Sequence, residues 1–152
     1  MNLTGCAPER EVRFETIEKV DVPGSIKEWK DEEPALLIIA SDEDVKKAER
    51  FITKEAYSEL RRLDFTTHFA IIAFRGWQHD LHEGFLIHRI VRKGNTIAIY
   101  AHPGHLTGKP VVSSPYHLVK VRKEGKWRMY FIFKLYFDKE KQPVVSVSHF
   151  IP

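Results

Sequence analysis

Phe69-Ala70-Ile71-Ile72-Ala73-Phe74-Arg75, Gly84-Phe85-Leu86-Ile87-His88-Arg89-Ile90-Val91 and Thr96-Ile97-Ala98-Ile99-Tyr100-Ala101 follow one another along the chain, and their reading decides the fold. The first run is apolar and dense enough for a central strand. The other two have the length and the β-branched and aromatic content of strands. Lys93-Gly94-Asn95 separates them with a Gly-Asn pair that suits a tight hairpin. A Pro- and Gly-rich stretch runs on to Pro110, and Val111 to Val121 reads as a further strand. Short connections favour antiparallel neighbours, so Phe69 to Val121 is expected to form an antiparallel β-meander at the heart of one domain.

Downstream, Glu124-Gly125-Lys126 turns into Trp127 to Phe137, where Met129, Phe131, Phe133, Leu135 and Phe137 fall on one face with a period of two. Lys139 to Pro143 turns again, and Val144 to Phe150 is the last strand. Upstream, Glu11 to Val20 alternates loosely, with Val12 and Phe14 on one side. It is broken by Pro23-Gly24-Ser25, with Trp29 as an anchor in the polar stretch that follows. Leu36 to Ala40 has the length of a buried strand. Ser41 is placed to cap the amide of Asp44 and start a helix from Glu43 to about Arg50. Thr53-Lys54-Glu55-Ala56 starts a second helix, to Leu63, whose Tyr57, Leu60 and Leu63 share a core-facing stripe. The expected fold is mainly β (α+β): an antiparallel β-sandwich or open barrel of about seven or eight strands, with a short helical insert near residues 43–63.

The 152 residues suit one domain, here 11–152 after a tether at 1–10. A net charge of +3 and scattered basic residues argue against nucleic acid as a partner. A single cysteine, Cys6, excludes an intramolecular disulfide. Leu3-Thr4-Gly5-Cys6 resembles a bacterial lipobox at the head of a polar Ala7-Pro8-Glu9-Arg10 tether, yet only Met1 and Asn2 precede it. Two readings follow. Either the chain is the truncated form of an envelope lipoprotein, held at a membrane surface only through lipidated Cys6, or the four letters are accidental and the chain is cytoplasmic.

Asp64-Phe65, the strand Phe69–Phe74, Arg75-Gly76, Glu83-Gly84-Phe85-Leu86-Ile87, the Pro-Gly loop and Ser114-Pro115-Tyr116-His117-Leu118-Val119-Lys120-Val121 come in a recognisable order. Over roughly Asp64 to Lys123 this resembles the PrcB-type C-terminal domain, named for a protease-complex subunit. Trp77 to His82 departs from that family's glycine loop. The resemblance implies a non-catalytic, extracytoplasmic β domain acting by protein contact, with no catalytic residues to carry over.

The sharpest chemical pattern is histidine. His79 and His82 form one His-x-x-His pair, and His102 and His105 another, on two stretches that an up-down-up meander puts at one end. Four imidazoles there would suit zinc or another transition metal, with Asp80 or Glu83 as an oxygen ligand or hydrogen-bonded support. The plainer reading is that these are solvated polar loops. Trp77 either covers a core edge or serves as a contact anchor. Ser113 and Ser114 stand in no Gly-x-Ser-x-Gly elbow. The residues favour a non-catalytic protein-binding or assembly module without a cofactor. Its binding residues would be Trp77, His79, His82, His102 and His105, and a metal-binding role or metal-dependent enzyme built on the same four histidines is the alternative.

Overall fold

A computed structural model describes residues 8–21 and 32–152. Cys6, the break at Pro23-Gly24-Ser25 and Trp29 lie outside them. Among the described residues the chain is mainly β, as its periodicity predicts, with nine strands in two sheets that do not close into a barrel. The strands are β1 (Glu9–Glu11), β2 (Phe14–Val20), β3 (Ala35–Ile39), β4 (His68–Phe74), β5 (His82–Lys93), β6 (Thr96–Leu106), β7 (Tyr116–Arg122), β8 (Met129–Phe137) and β9 (Val145–Ile151). One sheet has the order β1-β5-β6-β8-β9 and the other β2-β7-β4-β3.

Between the sheets lies the main core. It takes Phe69, Ile71 and Ala73 of β4, Phe85, Ile87 and Ile90 of β5, Ile97 and Ile99 of β6, and Phe131, Phe133 and Leu135 of β8. A second core forms on the far side of the four-stranded sheet under helices α1 (Asp42–Ala48) and α2 (Lys54–Arg61). There Val45, Ala48, Ala56 and Leu60 meet Ala70, Ile72, Phe74 and Leu118. Strand β4 is apolar at consecutive positions because both of its faces are covered. The caps act as the residue types require. Ser41 Oγ accepts from Asp44 N–H at 3.3 Å, and Thr53 Oγ1 accepts from Ala56 N–H at 3.2 Å.

The meander does not form. β4 and β7 pair with each other in the four-stranded sheet, while the β5–β6 hairpin between them in sequence belongs to the other sheet. Because β7 carries the chain across the sandwich and β8 carries it back, β6 and β8 lie side by side in parallel. The run from Glu11 to Val20 is likewise two strands. β1 pairs with β5 and β2 with β7, so the chain changes sheets at Val12-Arg13, and Glu9 and Arg10 belong to a sheet rather than to a tether.

Candidate functional site

The four histidines do come to one end, but through a ladder and not through loops. His82 opens β5 opposite Leu106, His105 lies opposite Glu83, and His102 lies opposite Leu86. The His102–His105 stretch is therefore strand. The β6–β8 pairing ends at Ala101, so Pro103 sits where β6 is flanked only by β5, and a missing N–H is tolerated there. The side chains then take different partners. His79 Nε2 is 4.0 Å from Glu32, and its ring meets Trp77 edge-on at 4.4 Å. Trp77 is half-buried. His82 is buried with no hydrogen bond to Nδ1, and burial together with the Arg75 charge holds its pKa below the ordinary value. His102 Nδ1 accepts from Gly104 N–H at 3.1 Å, and its Nε2 is 3.8 Å from Asp138. His105 is exposed beside Gly84. Among the described residues no three His, Cys, Asp or Glu side chains gather in a geometry that holds a metal.

His117, which the sequence offers only as a packing or surface residue, is a packing one with two polar partners. It is fully buried on β7 and spans the sandwich: Nδ1 accepts from Ile87 N–H at 2.9 Å, and Nε2 lies 2.8 Å from Thr16 Oγ1. Because Nδ1 is an acceptor, the ring proton is on Nε2, which donates to Thr16. Thr16–His117 thus has the outline of a nucleophile–base pair with the proton on the wrong partner, since His117 has no lone pair free to activate the hydroxyl. Ser113 is also engaged, donating to Asp80 O at 2.9 Å and accepting from His82 N–H at 3.2 Å.

Glu18 of β2 ties three elements together. One carboxylate oxygen accepts from Tyr116 Oη–H, and the other accepts from Thr53 Oγ1–H at 2.5 Å, at the cap of α2. Burial, then Glu18, raises the Tyr116 pKa, so the phenol stays a donor. Tyr116→Phe removes a charge-assisted bond and is expected to cost about 1–2 kcal/mol in urea denaturation. An unchanged midpoint would mean that Glu18 is held by Thr53 alone.

The two sheets differ in what covers them. Helices cover the four-stranded sheet. No described helix covers the outer face of the five-stranded sheet, and the alternate positions of β8 show what is exposed there. Tyr130 is 69% exposed and packs against Phe150 (39% exposed) with ring centres 5.2 Å apart. Tyr136 stacks on Tyr100 at 5.3 Å. Ile132 and Lys134 lie between, along roughly 20 Å of strand. Beside them is a trough of about 390 Å³ walled by Tyr100, Tyr136, Lys93 and Glu9, with Thr96 and Ala98 in it. Farther along, His88 Nε2 lies 2.8 Å from Asp138 Oδ1, so His88 and His102 flank one carboxylate. The signal for this face was the complement of the core pattern: Tyr130, Ile132, Lys134 and Tyr136 occupy the positions left over by the inward set.

The fold and this face define a helix-backed, two-sheet β-sandwich with one open aromatic sheet. No family model, no curated protein and no solved structure matches the chain.

Proposed function

We propose that the chain is a non-catalytic protein-binding or assembly module whose contact surface is the open face of the five-stranded sheet. One observation carries this reading. Tyr130, Phe150 and the Tyr100–Tyr136 stack stand on a sheet face with no described helix over it, although the same chain covers its other sheet with two. Aromatic residues with few charged ones among them, Lys134 and Lys93, are the composition of a protein contact. The PrcB-type resemblance points the same way, toward a β domain of the bacterial envelope acting by protein contact. Lipidation at Cys6 belongs to that reading, and a diacylglyceryl mass on the N-terminal peptide of the membrane-extracted protein is its test.

Lysine crosslinking in a native extract, read by mass spectrometry, tests the face. Links to another protein are expected at Lys134 and Lys93, and they should fall at least about tenfold in a Tyr130→Ser/Tyr136→Ser variant. Links confined to Lys46, Lys47 and Lys54 on the helical side would place the contact elsewhere and end this reading.

A further inference from the structure

Each open sheet leaves edges, and the four edges here are protected very unequally. β1 has only three residues, all charged. β2 carries Glu15, Glu18 and Lys19 and is interrupted by a bulge between Thr16 and Glu18. β3 is an apolar edge largely buried in the cores. These are the usual devices that blunt an edge: shortness, charge, a bulge or a cover.

β9 has neither shortness nor charge nor a bulge, and what lies against it is β3 of the other sheet. The β9 sequence Val145-Ser146-Val147-Ser148-His149-Phe150-Ile151 contains no carboxylate, lysine, arginine or proline. All seven residues pair with β8 in an uninterrupted register, and Ser146, Ser148 and Phe150 are exposed. No described strand pairs with the polar groups on its far side. An edge of this length, with an uninterrupted register and no Lys, Arg, Asp or Glu, is a template for another strand.

We propose that a second copy of this chain occupies it, by antiparallel pairing of β9 with β9 about Ser148. The strand is self-complementary in that register. Ser148 meets Ser148 of the second copy at the two-fold axis. Phe150, the one large outward side chain, lies opposite Ser146, a small one. Inward, Val147 lies opposite His149, and Val145 opposite Ile151. No like charges meet, because the one ionisable side chain, His149, is already turned to Asp44 of its own chain at 2.9 Å. The pairing joins two five-stranded sheets into one of ten. It uses an edge and shares only Phe150 with the face proposed above, so it leaves the Tyr100–Tyr136 stack open to another protein.

Sedimentation equilibrium of the purified chain tests it, using wild type, Ser148→Lys and Ser58→Lys. Ser148 points outward and is exposed, so lysine there leaves the fold intact, as circular dichroism should show, while placing two cations face to face on the axis. Wild type and Ser58→Lys, altered on α2, are expected to be dimers. Ser148→Lys should dissociate at least about tenfold more readily and lose amide-exchange protection along β9. A monomeric wild type, a Ser148→Lys dimer of unchanged affinity, or equal loss in Ser58→Lys would overturn the pairing. A monomer that still crosslinks at Lys134 would sink the pairing and leave the binding face standing.

Discussion

Gly76→Ala is expected to lower stability by roughly 3 kcal/mol or more, while Gly108→Ala costs about 1 kcal/mol. Both glycines hold a positive φ, +101° and +81°, which any L side chain resists. They differ in the space around them. A Cβ on Gly76 would lie 2.2 Å from the carbonyl oxygen of Glu32, and this obstacle is backbone, whereas nothing lies within 4 Å of one on Gly108. Relief requires moving the segment before β3 away from the end of β4, and with it the approach of His79 to Glu32. Urea denaturation of the two variants side by side measures the difference. Equal losses would mean that conformation alone, and not close approach, governs Gly76.

Acidification from pH 7 to pH 4 is expected to remove about 3 kcal/mol of stability through His117 alone. Burial, with a smaller push from Lys19, lowers its pKa from 6.5 to about 4, so the folded chain keeps the imidazole neutral. Unfolding frees it to take up a proton below about 6.5. Between those two values the unfolded state binds more protons, so stability falls as pH falls, and this contribution levels off below about pH 4. Above 6.5 both states are neutral there and the full stability is present. Protonation would also convert Nδ1 into a donor facing the Ile87 N–H and break the bond that joins the two sheets. Other groups titrate in the same range, so the comparison is with His117→Gln. That variant should be weaker at pH 7 and show a correspondingly flatter profile between pH 6.5 and 4. Parallel profiles would refute the assignment.

His117 and the two His-x-x-His pairs show why the candidate site was only partly legible. His79, His82, His102 and His105 advertise themselves by spacing, and they do reach one end of the molecule. Their rings nevertheless take separate partners, because ladder register and not sequence spacing determines where each one points. His117 sits in an ordinary-looking strand, and nothing in Tyr116-His117-Leu118 signals that its ring will bridge to a backbone amide in the opposite sheet. The aromatic face was present in the text of β8 all along. A period of two gives two faces, and only the apolar one marks itself as core.

Local physics therefore settled a good deal from the sequence. The strand periods, the caps at Ser41 and Thr53, the Gly94-Asn95 hairpin and the core stripe of α2 all depend on residues within a few positions of one another. A chain that is mainly β with a short helical insert follows from them. Only the tertiary structure decided which strands are neighbours. A period of two says that one side of a strand is buried, but not beneath which partner, so β4, β5, β6 and β7 read as a meander and fold into two sheets. The parallel β6–β8 pair, the His117 bridge, the outer edge of β9 that no described strand pairs with, and the five-stranded face that no described helix covers all follow from that long-range choice. It is made by burying Phe69, Phe131 and Phe133 together, across distances in sequence that no local pattern encodes.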